Sequence, residues 1–221
     1  GGERRIREAA NLDFLQGEAS FVDRNTLEIK VSGGQVLRVK GKTIFINIGC
    51  RPAVPPLSGL NEVPWLDSTS IMELDRVPEH LLVLGGGYIG LEFGQMFRRF
   101  GSAVTVVQRG RQLLAREDPD VAEAVAAILR EDGIEIVLEA EAIRVGKAAD
   151  TSLRLTVKTP SGERVLTGSH LLVAPGRTPN VESLNLPPPG VATDSKGFIR
   201  VNEFLETNIP GIYAMGDVNG G

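Results

Sequence analysis

The chain has 221 residues, of which 42% are hydrophobic and 24% are charged, and its formal net charge is -4. This composition is ordinary for a soluble globular protein, and the negative charge argues against a nucleic-acid-binding surface. Because no apolar run approaches the roughly 20 residues that span a bilayer, and no secretory signal opens the chain, we expect a cytoplasmic protein without a membrane partner.

Few side chains are available for disulfide or metal chemistry. The single cysteine, Cys50, can form neither an internal disulfide nor a structural zinc site by itself. His80 and His170 both directly precede apolar strand patterns, and we interpret them as strand-edge residues. The sequence therefore predicts no metal site.

The first region, residues 1–72, begins with a charged segment and continues in short strand patterns. A Pro-rich stretch at residues 52–59 predicts an extended connection rather than a helix. The strand patterns lie around Phe21, at Leu27–Val31, at Val36–Val39 and, as a stronger apolar run, at Thr43–Ile48.

The second region, residues 73–177, has the pattern of a β-α-β-α-β unit. Leu81–Leu84 is fully apolar, as expected of a buried parallel strand. Asp118 and Pro119 are typical of the N-cap and first residue of a helix. The other predicted elements are a first helix with Ile89, Phe93, Met96, Phe97 and Phe100 on its apolar face and Gly101 at its end, strands at Val104–Val107 and Ile134–Leu138, and a second helix with Val121, Val125, Ile128 and Leu129 on its apolar face and Gly133 at its end.

An insertion interrupts this unit before its last strand, Leu171–Ala174. Leu153, Leu155 and Val157 alternate with polar residues, and a turn at residues 159–162 leads back toward Val165, which predicts an antiparallel hairpin with one wet face. The fold class is therefore α/β, with a Rossmann-like parallel sheet carrying an antiparallel β-hairpin insertion. The last region, residues 178–221, is rich in loops until Gly211.

The sequence Gly85-x-Gly87-x-x-Gly90 lies between the first strand and the first helix of this unit. Gly85 permits the tight turn, Gly87 leaves room for a pyrophosphate, and Gly90 allows the helix to pack closely on the strand. The helix N-terminus, with Ile89 in its first turn, then faces the phosphates. This context predicts a dinucleotide site rather than an ordinary glycine turn.

The end of the second strand indicates which dinucleotide binds. NAD sites usually place an acidic residue about 20 residues after the glycine motif, where it bonds the ribose 2′-hydroxyl. This chain instead has Gln108, Arg109 and Arg111, which would attract a 2′-phosphate, so we predict NADPH over NADH. The alternative is that both arginines form a solvated loop face and Gln108 accepts either cofactor.

Two residues of the first helix can each be interpreted in two ways. Glu92 is either a surface carboxylate or a buried acid facing a redox centre. Tyr88 is either a packing residue or a ring over the nicotinamide pocket. The residues alone leave both alternatives open.

Together, four segments resemble motifs of the class I pyridine nucleotide-disulfide oxidoreductases, which include dihydrolipoamide dehydrogenase, glutathione reductase and mercuric reductase. Residues 45–52 resemble the family's ATG-x-x-P, although Ile48 replaces the usual threonine. Gly85–Gly90 with Glu92 resembles GxGxxGxE. Residues 174–180 resemble A-x-GR-x-PN, and residues 207–217 resemble T-x-x-PGIYAxGD. Gln108-Arg109 and residues 116–119 look most similar to the mercuric-reductase-like members.

The resemblance implies roles for individual residues. Gly49, Gly216 and Asp217 would contact FAD, and Gly176 and Arg177 would line the pyridine-nucleotide side. Tyr88 would match the gating aromatic of the glutathione reductase branch. Glu92 would lie near the flavin, paired with a lysine that this chain lacks.

The resemblance also implies that the chain is a fragment: an NAD(P)-binding domain at residues 73–177 between partial FAD-binding segments at 1–72 and 178–221. The family's FAD-binding GxGxxG, its Cys-x4-Cys pair and its C-terminal dimerisation domain are missing. The parent would be a homodimer that transfers hydride from NADPH to flavin and on to a disulfide or metal-ion substrate, whereas the fragment would bind NADPH without turnover. The alternatives are a flavin-only NAD(P)H oxidase or ferredoxin-type reductase, and a non-catalytic nucleotide-binding module.

Overall fold

The computed structural model describes residues 9, 11–148 and 152–221. The chain forms two compact units, one made of Gly1–Arg51 with Thr178–Gly221 and the other of Pro52–Arg177. Residues 52–72 therefore belong to the second unit, whereas the sequence pattern puts a boundary after residue 72. The reason is that Leu57, Leu60 and Val63 are buried in the hydrophobic core of the second unit.

The first unit contains an antiparallel sheet and a short parallel pair of strands. Strands β1 (Gly17–Phe21), β2 (Thr26–Val31) and β3 (Val36–Lys40) are antiparallel neighbours in that order. Strand β4 (Ile44–Ile46) pairs in parallel with β14 (Ile212–Ala214), although these residues are far apart in the chain. Strands β5 (Cys50–Pro52) and β13 (Arg177–Pro179) lie where the chain passes between units.

The core of the first unit is formed around these two sheets. Phe21 of β1, Ile46 of β4 and Ile212 of β14 are almost completely buried in it. Short 3₁₀ helices at Glu182–Leu184 and Gly216–Asn219 contribute Leu184 and Val218.

The second unit is built on a parallel sheet with the strand order β12-β6-β7-β8. Leu81, Leu82 and Val83 of β6 are fully buried, because β6 is a central strand covered on both faces. Burial of each such side chain contributes on the order of 1.5–3 kcal/mol. The bounds are β6 His80–Leu84, β7 Ala103–Val107, β8 Glu135–Val137 and β12 His170–Val173. The predicted α/β fold with a parallel sheet is thus confirmed.

The first helix, α1 (Tyr88–Arg99), packs against this sheet. Leu91 and Phe97 are buried, and Gly94 lies at van der Waals distance from valines of β6 and β7. Phe100, which was predicted on the apolar face, is 59% exposed but contacts Phe97 edge to face.

The second helix, α2 (Pro119–Glu131), buries only part of the predicted apolar face: Leu129 is in the core and Val125 packs against it. Ala122, Ala126 and Leu129 are buried, whereas Val121 and Ile128 are 46% and 53% exposed. Ala122 and Ala126, which were not predicted, take the buried positions beside Leu129. Alanine, having a small side chain, lets the helix approach the sheet closely.

The insertion contains one more strand than the predicted hairpin. Strands β9 (Glu141–Lys147), β10 (Leu153–Thr159) and β11 (Gly162–Gly168) form an antiparallel sheet with β10 in the centre. Leu155 and Val157 of β10 are fully buried, as their alternation with polar residues predicts.

Both histidines open strands of the parallel sheet. His80 Nε2 lies 2.9 Å from Thr105 Oγ1. His170 Nδ1 lies 3.0 Å from Ser169 Oγ, and partial burial lowers the pKa of His170. Within the described ranges, no cluster of three or more His, Cys, Asp or Glu residues could hold a metal ion. No helix among those residues has the length and apolarity needed to cross a membrane.

Candidate functional site

The glycine-rich turn joins β6 to α1 at the carboxyl edge of the parallel sheet. Gly85 has φ +119°, and a Cβ there would collide with the carbonyl oxygen of Ala174. A Cβ on Gly90 would collide with the carbonyl oxygen of Gly85, so α1 starts as close to the strand as its backbone allows. Gly85 and Gly90 thus have the roles that the sequence predicts for a tight turn and a close packing contact.

Gly87 differs from its neighbours in its surroundings. It is exposed, its φ is -86°, and a Cβ there would have no neighbouring atom within 4 Å. The residue is therefore not required for folding of the turn, and the space beside it is open. This is the space that a pyrophosphate would need next to the backbone.

The N-terminus of α1 opens toward the same space. Gly87 is the N-cap and provides no side-chain cap, and the first turn contains no acidic residue. The first N–H groups of a helix have no intrahelical acceptors and carry the positive end of the helix dipole. This end of α1 is thus suited to an anion.

The residue between the first two motif glycines is also a glycine, and its importance was missed in the sequence. A Cβ on Gly86 would lie 2.6 Å from Leu113 Cδ2 and 3.1 Å from Gln108 Cβ. The Gly86 carbonyl accepts a 2.8 Å hydrogen bond from Leu114 N–H. The loop after β7 therefore packs directly on the turn, and the third consecutive glycine was the available signal.

Gln108 is held by contacts on both ends of its amide. Its Oε1 accepts a hydrogen bond from Gly86 N–H at 3.1 Å, and its Nε2 donates to the carbonyl of Gln112 at 3.2 Å. The side chain thus ties the glycine-rich turn to the loop that follows β7.

Arg109 and Arg111 are both exposed on this loop, at the end of the site where a ribose would lie. Arg111 Nε is 3.3 Å from Glu139 Oε1, and the two side chains are 91% and 47% exposed. Glu139 follows β8 and is fixed there by a 3.0 Å hydrogen bond from its N–H to the Gly110 carbonyl. An acidic residue is therefore present in this corner, although it is absent from the strand end where the sequence pattern places it.

Tyr88 and Glu92 lie one turn apart on the exposed surface of α1. They line a cavity of about 280 Å³ between α1 and α2, together with Leu91, Gln95, Leu114, Val125, Ile128 and Leu129. The Tyr88 hydroxyl donates a short hydrogen bond to the Glu117 carboxylate. That hydrogen bond is the main reason why the pKa of Tyr88 is raised. Glu92 is exposed in this unit.

Gly176 and Arg177 follow β12. The preceding carbonyl of Ala174 adjoins Gly85, so this segment leaves the sheet beside the glycine-rich turn. Gly176 is exposed and accepts a hydrogen bond from Ala53 N–H at 3.0 Å. Arg177 is exposed as well.

In the first unit, the residues assigned to flavin binding lie close together. Cys50 Sγ donates to Asp217 Oδ2 at 3.5 Å, which brings the start of β5 next to the 3₁₀ helix at Gly216–Asn219. Gly49 has φ +64° and open space around its Cβ position, and Asp217 is exposed.

This corner also contains an ion pair that the sequence does not indicate. Arg51 Nη2 is 2.5 Å from Glu182 Oε1, and Arg51 Nη1 donates to Asn180 Oδ1 at 3.1 Å. Asn180 N–H donates to the Gly49 carbonyl at 3.2 Å. These contacts fix the loop that carries Gly49.

Similarity to known proteins extends over nearly the whole chain. Residues 4–221 match the family described as pyridine nucleotide-disulphide oxidoreductase. The chain is 39% identical over 208 residues to a mercuric reductase from Lysinibacillus sphaericus, covering 94% of this chain and 37% of that protein. It is 38% identical over 217 residues to the probable pyridine nucleotide-disulfide oxidoreductase RclA of Escherichia coli (strain K12), covering 98% and 48%.

A solved structure gives the same result. The chain resembles the Cu(II) complex of the HOCl-induced flavoprotein disulfide reductase RclA from Escherichia coli, with a TM-score of 0.83 and 36% sequence identity. The match covers 99% of this chain and 48% of that one. The chain thus spans between about a third and a half of the relatives it matches.

Proposed function

The chain belongs to the pyridine nucleotide-disulphide oxidoreductase family, and from that premise we propose that Pro52–Arg177 binds NADPH. We propose further that Gly1–Arg51 and Thr178–Gly221 form part of an FAD site in a longer oxidoreductase. That parent enzyme would be a homodimer and would act on a disulfide or a metal ion.

The open space at Gly87 is the single observation that carries nucleotide binding. A Cβ there has no neighbour within 4 Å, although the glycines on either side are tightly packed. The space lies at the uncapped N-terminus of α1, whose first turn has no acidic residue. A pyrophosphate fits both the space and the charge.

The preference for NADPH rests mainly on Arg109. Its guanidinium is exposed at the end of β7, where a 2′-phosphate would lie and where NAD enzymes have a carboxylate. Arg111 adds a second cation, but its pairing with Glu139 reduces what it can offer. Gln108 supports this corner through its contact with Gly86 rather than through a charge.

The residues of the first unit fit part of a flavin site. The exposed Asp217 carboxylate suits a ribityl hydroxyl, and Gly49 has the open space that a close ligand needs. A bound flavin would accept hydride from the nicotinamide and pass electrons to the disulfide or metal-ion substrate. Gly176, Arg177 and Tyr88 would line the nicotinamide side, with Glu92 nearby.

A binding experiment with residues 1–221 tests the proposal. Calorimetric titration should show saturable binding of NADPH and weaker binding of NADH. Arg109→Glu should weaken NADPH binding by roughly 10-fold, because it replaces an attraction with a repulsion of the 2′-phosphate. Equal binding of both nucleotides, or unchanged NADPH binding in Arg109→Glu, would remove the case for NADPH.

The same preparation tests the prediction about catalysis. Cys50 is the only cysteine in this sequence, and disulfide reduction through a thiol pair needs a second, resolving thiol. We therefore expect residues 1–221 to bind nucleotide without reducing a disulfide. Turnover of a disulfide substrate by this polypeptide alone would contradict the proposal that it is only part of the catalytic enzyme.

A further inference from the structure

The loop after β7 connects the glycine-rich turn to Tyr88 through a continuous series of hydrogen bonds. The series starts at Gly86 N–H, which donates to Gln108 Oε1 at 3.1 Å. Gln108 Nε2 donates in turn to the Gln112 carbonyl at 3.2 Å. Gln108 thus bonds the turn with one end of its amide and the loop with the other.

The second half of the series returns to α1. Gln112 Nε2 donates to the Glu117 carbonyl at 3.0 Å. The Glu117 carboxylate accepts the hydroxyl proton of Tyr88, the first residue of α1. The series of hydrogen bonds therefore begins and ends within three consecutive residues, 86–88, and includes the side-chain amides of two glutamines.

The first part of the loop is fixed by packing. Leu113 is fully buried against Gly86, and Leu114, only 8% exposed, adopts φ +47°. A left-handed conformation is costly for leucine and persists only where the surroundings impose it. Its N–H bond to the Gly86 carbonyl, at 2.8 Å, is one such constraint. The turn and the first part of the loop are therefore packed against each other and joined by a hydrogen bond.

Tyr88, by contrast, lies at the surface. The residue is 55% exposed, and its hydroxyl donates a hydrogen bond to the Glu117 carboxylate in the loop. The orientation of the phenol ring at the mouth of the cavity therefore depends on where Glu117 lies. Glu117 itself depends on Gln112 and on a 2.8 Å hydrogen bond from its N–H to the Leu114 carbonyl.

We propose that Gln108 and Gln112 form a positioning relay that couples occupancy of the glycine-rich turn to the orientation of Tyr88. This inference rests on the proposed function, in which the pyrophosphate binds beside Gly87. An anion there competes for the neighbouring N–H groups, including Gly86 N–H, which Gln108 now holds. The resulting shift of Gln108 reaches Tyr88 through Gln112 and Glu117.

A fluorine resonance on Tyr88 reports this coupling directly. The chain has two tyrosines, so 3-fluorotyrosine incorporated into a Tyr213→Phe background gives one signal, from Tyr88. The test variant is Gln112→Met, which preserves side-chain length but removes the donor to Glu117. The control is Gln95→Met, since Gln95 lines the same cavity but bonds Asp132, outside the relay.

In the absence of nucleotide, we expect the Tyr88 resonance to move in Gln112→Met and to stay in place in Gln95→Met. On saturation with NADPH, the parent protein and the control should show a shift of this resonance. In Gln112→Met the nucleotide-induced shift should fall to less than about half, while the Kd stays within about threefold, because the substitution breaks coupling rather than binding.

Two further variants distinguish loss of the relay from loss of folded structure. Glu117→Gln keeps an oxygen acceptor for the Tyr88 hydroxyl and should retain the NADPH-induced shift, whereas Glu117→Ala should lose it. Circular dichroism confirms that each variant is folded.

The relay is overturned if Gln112→Met has the parent's resonance position and full NADPH-induced shift. If the parent protein binds no NADPH, the proposed function fails, and the coupling of Tyr88 to the nucleotide fails with it. The nucleotide-free spectra still test whether Gln112 positions Tyr88: a resonance moved in Gln112→Met but not in Gln95→Met supports that part, and an unmoved one rejects it.

Discussion

Arg111 Nε lies 3.3 Å from Glu139 Oε1, so one of the two cations proposed for a 2′-phosphate already has a carboxylate partner. Glu139 reaches this position because the turn after β8 is hydrogen bonded to Gly110. Its charge opposes the 2′-phosphate that Arg109 would attract. The proposed preference for NADPH would therefore depend on the balance between residues of two different loops.

Glu139→Gln should increase the preference for NADPH over NADH. The substitution removes a negative charge from the ribose corner and releases Arg111 for a phosphate. Exposed ion pairs are worth about 0.2–1 kcal/mol, so we expect the ratio of the two Kd values to change by about 1.4- to fivefold. Calorimetric titrations with NADPH and NADH measure this ratio. They are made at low and at high salt, since salt screens the charges and should reduce the effect of the substitution.

Glu163→Gln is the matched control for this change. Glu163 is an exposed acid on β11, and its replacement alters the net charge by the same amount. A similar gain in NADPH preference in both variants would attribute the effect to net charge and not to the Arg111–Glu139 pair.

Gly86→Ala should destabilise the protein. The added methyl group would lie 2.6 Å from Leu113 Cδ2, and Leu113 is fully buried. Overpacking of this kind costs about 1–3 kcal/mol of unfolding free energy. Urea denaturation should show the loss, whereas Gly146→Ala, where the methyl group meets open space, should not. Equal stability of Gly86→Ala and the parent would contradict the packing of the loop on the turn.

Asp67→Asn should reduce the dependence of stability on acid pH. Asp67 Oδ1 accepts hydrogen bonds from Ser70 N–H at 2.8 Å and Thr69 N–H at 2.9 Å, and the first of these is the main cause of its lowered pKa. A lowered carboxyl pKa adds stability above the unfolded pKa, near 3.9. That stability is lost as pH falls from about 4 through the folded pKa.

The contribution should be below about 1 kcal/mol, because water screens a group so close to the surface. Urea denaturation at pH 6 and at pH 3 should show that the difference between the parent and Asp67→Asn shrinks at the lower pH. Asp75→Asn, an exposed acid on the same segment, serves as the control. A difference that stays constant with pH would argue against a charged Asp67 as the acceptor of these two hydrogen bonds.

The regular part of the fold was accessible from the sequence because its signals are local. The apolar run Leu81–Leu84, the glycine motif and the Asp118-Pro119 helix start each determine their structure within a few residues. The buried face of α2 was accessible only in part, because Leu129 and Val125 were predicted but Ala122 and Ala126 were not. Large apolar side chains dominate a periodicity, yet Ala122 and Ala126 are the residues that pack on the sheet, which only the tertiary structure decides.

Contacts between loops account for what the sequence missed at the candidate site. Glu139 follows a strand other than the one that carries Gln108, and no spacing rule connects it to Arg111. Likewise, the sequence showed Glu117 only as part of a charged run, although its carboxylate accepts a hydrogen bond from the Tyr88 hydroxyl. These pairings depend on loop conformations that include left-handed residues such as Leu114 and Glu139, which sequence patterns do not predict.

The most direct test of the account is NADPH binding by Gly87→Ala, with Gly146→Ala as the control. Neither methyl group meets a neighbouring atom within 4 Å, and neither glycine has a positive φ, so both variants should fold. We predict that Gly87→Ala weakens NADPH binding by at least about tenfold, because its methyl group occupies the space of the pyrophosphate, while Gly146→Ala binds as the parent does. Unchanged affinity in Gly87→Ala would contradict the glycine-rich turn as the dinucleotide site.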